Sequence, residues 1–543
     1  MSFRSKPMAR ATAVAAVWIG VGALAAGCAH HDAAVPAKLG TVHFKVECNA
    51  AAQREFDLAM AYYHSFAWEQ IKAPLDRAAQ ADPTCGMVHW ARALALLDNP
   101  FVWPGNVSAQ KLAQGPIFLQ AARQAGLKSQ RERDYVEALA QFFRDPDTRD
   151  HRTRAKALEE GLSGVAQRSP EDTEAAILHA LVMSANFDPT DKQYSNQLRA
   201  AAILEPIFKE QPQHPGVAHY LIHSYDYPAI AHKGLDAARR YDKIAADSAH
   251  ALHMPSHIYT RVGAWRESIS TNTASARSDS GRTFNTLHAY DYMAYAHLQL
   301  GQDAQARKVM SDAFAVANKA DAFGSAFAYA AIPARVAIER GAWQDAAALP
   351  LTPERSGYAW HKYPQAEAVN AFARGLGAVA TNNAAAVQTE LTRLQQLSDA
   401  AGALKLAYWV EQIAIQSEVV RGWAEVAAGR RDEGIERLRK AAGREDATEK
   451  HVVTPGPILP AREVLAGALL DSGKAADALR EYEAVLKKEP NRLRATAGAA
   501  RAAEGSGDAA KARLYHSRVL EQIDGSDNPR PEAANARRFL GRG

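Results

Sequence analysis

The feature that most constrains this chain is a recurrence at 34 residues near its C-terminus. The segment AREVLAGALLDSGKAADALREYEAVLKKEPN places Gly473 between two stretches of helical apolar periodicity, sets Ala478 and Tyr482 on one face of the second, and ends at Pro490. Gly507 and Ala512 repeat Gly473 and Ala478 34 residues later, with His516 where the aromatic residue stood. Glycine closes a helix because it accepts the left-handed conformation at low cost, and proline cannot continue one. Similar helix–Gly–helix turns occur at Gly263, Gly301, Gly341 and Gly429, at less regular spacing, and an N-terminal unit of the same design, FDLAMAYYHSFAWEQIKAPLDRAAQADP, ends at Pro83. A single helix pair cannot bury its small-residue face, whereas stacked pairs bury a continuous core and curl into a superhelix. Strictly alternating segments are few, so strands are not expected.

The step of 34 and the Ala-x3-aromatic face resemble the second half of a tetratricopeptide repeat. The expected fold class is therefore all-α, a tetratricopeptide-like solenoid with degenerate repeats. The organisation read from the chain is a leader over residues 1–27, a tether over 28–46, N-terminal helical repeats over 47–215, His-rich central repeats over 216–345, and C-terminal repeats over 346–543 that include the clear pair 459–524. The segment DNPFVWPGNVSAQKLAQGP, residues 98–116, interrupts the first block with Pro, Gly and Trp103 and reads as a loop insertion packed over one end of the groove.

Composition matters chiefly at the N-terminus. The formal charge of +4 and pI near 8.7 invite a nucleic-acid reading. Residues 1–10, however, hold Arg4, Lys6 and Arg10 and no acid, and residues 11–26 are apolar and uncharged, which is the pattern of an export signal. Without it the chain has 61 basic and 60 acidic side chains, and the case for nucleic acid lapses. The signal ends in Leu-Ala-Ala-Gly-Cys28, which resembles a bacterial lipobox, so Cys28 is the expected lipidation site and membrane anchor; cleavage after Ala25 without lipid is the alternative. Either route exports the protein to the periplasm or outer membrane. Cys48 and Cys85 then remain as an even pair in a compartment that permits a disulfide, with two buried thiols as the alternative.

Nineteen histidines are present, and some fall into register. His219 and His223 lie in HPGVAHYLIHSYDYP, and His253 and His257 in HALHMPSHIYTRVGAW, each pair spaced i, i+4 and the two pairs 34 residues apart. The spacing puts both members of a pair on one helix face, and adjacent helix axes about 8–10 Å apart bring four imidazoles toward one small site. In tetratricopeptide repeats the first helices line the concave groove. Counting back from Gly263 and Gly301 places His250, Arg261, His288, Asp291 and Tyr295 on that wall as well, with Arg335 following before Gly341. Three readings are open: helix cross-links satisfied by hydrogen bonds, a groove for a polar or anionic ligand, and a metal site for Zn or Cu formed by His219, His223, His253 and His257, with Asp291 orienting a ligand. Pro255 argues against the metal reading, because a helix starting near Met254 would leave His253 at its edge. Tyr220 after His219 excludes H-E-x-x-H and its general base.

A second segment, REDATEKHVVTPGPILPARE over 444–463, is too rich in Pro and Gly to continue a helix. It reads either as an inter-repeat linker or as a loop that folds over the groove and contributes Lys450 and His451. No nucleophile elbow, phosphate loop, dinucleotide fingerprint or C-x-x-C is present, and no residue is singled out as catalytic. The segments HYLIHSYD, HMPSHIYTRVGAW and DATEKHVVTPGPILPARE, with HSF at 64–66 and DPTCGMVHW, resemble a family of bacterial exported tetratricopeptide-repeat proteins over residues 47–543. That resemblance implies the fold and no particular activity. The sequence thus points to an exported scaffold whose groove binds a protein partner or a small polar or anionic ligand through His219, His223, His253, His257, His288, Asp291, Arg261, Tyr295, Lys450 and His451. A metal-binding or metal-dependent enzyme is the alternative.

Overall fold

A computed structural model of the protein describes residues 37–541. The expectations for the leader, for residues 28–36 of the tether and for lipidation at Cys28 lie outside the described residues. Among those described, the chain forms 26 α-helices and four short 3-10 turns, and no strand. Most helices pack against their neighbours in the chain, as a helical-repeat array requires. Many starts are capped by side chains chosen for that purpose: Asn49 accepts from the Ala52 amide, and Ser108, Ser129, Asp150 and Asp172 cap in the same way.

All six turn glycines named from the sequence, Gly263, Gly301, Gly341, Gly429, Gly473 and Gly507, have positive φ. Gly263 carries a second constraint. A Cβ there would lie 2.4 Å from the Pro490 carbonyl oxygen, because the C-terminal repeats return against the turns of the central ones. Trp265 donates to the Asn491 carbonyl at 2.9 Å, Leu493 N–H donates to Gln299, and Asp527 accepts from the amides of Ala304 and Gln305 at the start of a helix.

Two expectations about the N-terminal half are revised. Residues 38–46 are part of the folded body rather than tether: Leu39, Val42, Phe44 and Val46 are buried, and Phe44 sits among Phe56, Trp90 and Tyr135. Their extended backbone is satisfied by side chains, Asp57 accepting from Phe44 N–H and Gln53 from Val46 N–H, both at 2.9 Å. The irregular insertion ends at Ser108, since Ala109–Ala125 is helical and carries Pro116 within it. Cys48 and Cys85 are bonded (S–S 1.99 Å, Cα–Cα 5.3 Å), joining the start of Ala50–His64 to that of Gly86–Ala95.

The apolar residues form two large cores, one running from Leu39 to Tyr259 and the other from Leu287 to Tyr515. Between them lies a polar layer carried by the helices Pro215–Tyr225, Ala249–His253, Pro255–Val262 and Asn285–Gln299. The candidate site is in this layer.

A candidate metal centre of two histidine triads

The central helices are buried on nearly every face, so their polar residues must find partners inside the protein. The expected groove is filled at this point. His219, His223, His253, His257 and His288 are at most 8% exposed, and residues 448–460 fold across them. His250 and Phe101 are only half-buried and mark the side on which the layer meets solvent.

The four paired histidines do not form one site. They divide into two triads, each completed by a third imidazole: His219, His223 and His250 in one, and His253, His257 and His288 in the other, with one ring nitrogen from each member lying within 4.8 Å of the others. Ring centroids of neighbouring triads are 6.0 Å apart for His223 and His257 and 6.3 Å apart for His250 and His253. Pro255 does not displace His253. The backbone stays right-handed helical through Met254, whose N–H donates to the His250 carbonyl, while His257 N–H donates to Met254. A proline at the first position of a helical segment removes only a donor that the turn leaves unused, so the i, i+4 geometry survives.

Proton placement separates the His253–His257 pair from an ordinary buried network. His253 Nδ1–H donates to Asn272 Oδ1 at 2.6 Å. The amide orientation is fixed by Asn272 Nδ2, which donates to the Ser268 carbonyl at 2.7 Å. His257 Nδ1–H donates to the Asp226 carboxylate at 2.9 Å. A neutral imidazole has one N–H, so the Nε2 atoms of both rings present lone pairs, and these face each other at 3.0 Å. The third member, His288, has a buried Nδ1 without a hydrogen-bond partner, and its ring lies 4.3 Å from that of His253. In the other triad His219 Nδ1–H donates to the His64 carbonyl at 2.7 Å, which leaves its Nε2 as an acceptor, and the Nε2 atoms of His223 and His250 both approach it at 3.1 Å. Phe101 stacks on His223, centroids 3.8 Å apart, and Phe66 lies against His219 and His250. The insertion at 98–108 thus packs over the site.

The cluster His64–Glu174–His214 shows the contrast. Glu174 accepts from His64 Nε2–H and His214 Nε2–H, Tyr220 OH donates to His64 Nδ1, and Val217 N–H donates to His214 Nδ1. Every nitrogen has a partner of the opposite kind, so this group is a cross-link. Gly216 allows it, since a Cβ there would meet the His64 ring at 2.5 Å.

Asp226 organises the charge around the second triad. Besides His257, it accepts from Arg261 Nε at 2.8 Å and from Lys450 Nζ at 3.2 Å. Burial would raise its carboxyl, but Lys450 and Arg261 together with the His257 hydrogen bond hold it well below the ordinary range. Burial lowers Lys450 to about 8 despite Asp226. Burial also keeps all six imidazoles below the ordinary histidine range, each reinforced by neighbouring imidazoles or cations. The layer therefore favours neutral rings.

Several residues named from the sequence do other work. Asp291 orients no imidazole: it accepts from Arg335 Nε at 2.8 Å, and Arg335 donates onward to Thr454 Oγ1 and to the carbonyls of Gly456 and Pro457. This latches the crossing loop. Tyr295 accepts from Arg492 at 2.9 Å and donates to Glu489. His451 caps its own turn, accepting from Val453 N–H, among Phe323, Tyr408 and Trp409. Lys450 does reach the site, through Asp226. Sequence reasoning missed Asp226, Asn272 and Phe101 as parts of the site. Asp226 stands in the quoted HSYDYP segment, but no spacing rule links it to His257.

No known family profile matches this chain, and no curated protein sequence matches it. Solved structures to which it is similar include the tetratricopeptide-repeat domain of P58(IPK), at 12% identity over 91% of this chain and 99% of that one, with a TM-score of 0.19. Another is the structure of Naa15/Naa10 bound to HypK-THB, at 10% identity over 90% and 92%, with a TM-score of 0.24.

Proposed function

We propose that this protein is an exported metal-binding protein in which His253, His257 and His288 hold a divalent transition-metal ion. The observation that carries the reading is the 3.0 Å approach of two Nε2 atoms that both lack a proton. Two lone pairs at that distance repel in a buried site unless a cation lies between them. An ion bonded to both at about 2.0–2.1 Å in tetrahedral geometry would separate them by about 3.3 Å. Nδ1 contacts to Asn272 and Asp226 are the outer partners that metal-bound histidines ordinarily have. Imidazole ligands suit Zn, Cu, Fe and Ni, and three of them leave a fourth position for an exchangeable ligand. Metal analysis of the mature protein, purified without a histidine tag and reloaded with Zn or Cu, tests this. At least one equivalent is expected, reduced in a His253→Ala/His257→Ala variant that remains helical by circular dichroism. Only traces of metal in the reloaded wild type would refute the reading.

Export rests on the charged and apolar leader and is supported by the Cys48–Cys85 bond, which belongs to an oxidising compartment. With lipid at Cys28, a Cys28→Ser variant is expected to leave the membrane fraction and lose acyl mass at its N-terminus. An unlipidated wild type whose mature chain starts at Gly27 or Ala26 would refute the anchor.

A further inference from the structure

We propose that the neighbouring triad, His219, His223 and His250, binds a second ion, making a binuclear all-imidazole centre whose shared positions take a small anionic oxygen ligand. This rests on the reading of the first triad but on different observations. His219 Nε2 is a fixed acceptor, because its Nδ1–H is committed to the His64 carbonyl, and two further Nε2 atoms converge on it at 3.1 Å from different directions along the chain. Three nitrogens meeting at one point, one of them unable to donate, is the arrangement a three-histidine site requires. The rings of the two triads approach to 6.0 and 6.3 Å, so ions held at their inner nitrogens would be close neighbours.

Charge determines the ligand class. Six neutral imidazoles contribute nothing against the four positive charges of two divalent ions. The carboxylate bonded to the centre's edge, Asp226, is already opposed by Arg261 and Lys450. Burying that charge without compensation is strongly unfavourable, so the missing negative charge must arrive with the bound ligand. Phe66 and Phe101 wall the His219–His223–His250 triad with apolar faces, which favours a small ligand over an extended one, and the half-buried His250 lies on its solvent side. Hydroxide or another compact oxyanion meets these conditions, whereas a peptide or a nucleotide does not.

The test is copper loading of the tag-free mature protein, with inorganic azide as the anionic probe. The wild type is expected to take two equivalents of Cu(II), to show far less paramagnetic resonance intensity than two isolated ions because the spins couple, and to gain a charge-transfer band saturating at one azide per two copper ions. His250→Ala, at the least buried of the six histidines, should bind one equivalent with a full isolated signal while staying helical by circular dichroism; His219→Gln should behave alike. One equivalent in the wild type, unchanged in His250→Ala, would overturn the second site and leave the first standing. Two equivalents with two uncoupled signals would overturn the binuclear centre. Failure to bind any copper, zinc or other transition metal would instead remove the underlying reading.

Discussion

Replacing Asn272 with Ala isolates the outer support of the proposed metal ligand His253. Asn272 is fully buried, and its amide links the Ser268 carbonyl to His253 Nδ1–H. In the metal-free protein Asn272→Ala strands one buried donor, at a cost of about 1–3 kcal/mol. In the loaded protein it also frees the ring to rotate and makes Nε2 less basic. Outer partners of this kind are worth about 10–100-fold in metal affinity, or about 1.4–2.8 kcal/mol. At a free metal concentration of about 100 times the wild-type Kd of the His253 site, binding at that site stabilises the wild type by about 2.7 kcal/mol. At the same concentration the variant should gain only about 0.4–1.4 kcal/mol. Chemical denaturation with and without Zn measures both quantities. Glu174→Gln is the control: it disrupts the His64–Glu174–His214 cross-link, so it should lower stability and keep the full metal effect. If Asn272→Ala retains the whole metal-induced gain, the placement of the Nδ1 proton on His253, and the lone-pair reasoning with it, is wrong.

Three further outcomes are expected. Non-reducing intact mass should show no alkylatable thiol at Cys48 or Cys85, and replacing both by Ser should cost about 4 kcal/mol, since the bond closes a 37-residue separation. Glu445, which accepts from the Ala461 amide, has its carboxyl raised by burial to about 7. The folded protein therefore holds a proton that the unfolded chain releases above its lower, ordinary pKa, so stability falls as pH rises from about 4.5 to 7. Glu445→Gln should flatten that fall and be stabilising by up to about 3 kcal/mol at pH 8 relative to its effect at pH 4, as followed by denaturation at the two values. Arg335→Ala leaves Asp291 buried and unpaired and releases the loop at Thr454–Pro457. It should destabilise by about 3–5 kcal/mol and open that loop to limited proteolysis; an uncleaved loop would show that other contacts hold it.

The helical-repeat fold, six turns and the two histidine pairs are legible in the residues alone. These are local properties: a glycine at a left-handed turn is chosen by its own backbone, and i, i+4 spacing fixes which helix face two rings share. The 444–463 segment stayed open between a linker and a loop over the groove, and the fold brings Lys450 but not His451 to the site. How the histidines divide depends on the packing of helices distant in sequence. His250 and His288 become third members because neighbouring helices deliver them at a particular depth, and helical register specifies a face without specifying depth. The same distinction explains Asp291 and Tyr295. Both lie on the expected wall, yet Arg335 and Arg492, arriving from elsewhere in the chain, take them as partners. Asp226 took the role foreseen for Asp291 because it ends the Pro215–Tyr225 helix where His257 comes to rest, in a separate helix. Proton direction, on which the metal reading turns, is likewise set by acceptors distant in sequence: the His64 carbonyl, Asn272 and Asp226. A low-dielectric interior enforces those pairings, and that interior exists only once the repeats have closed around it.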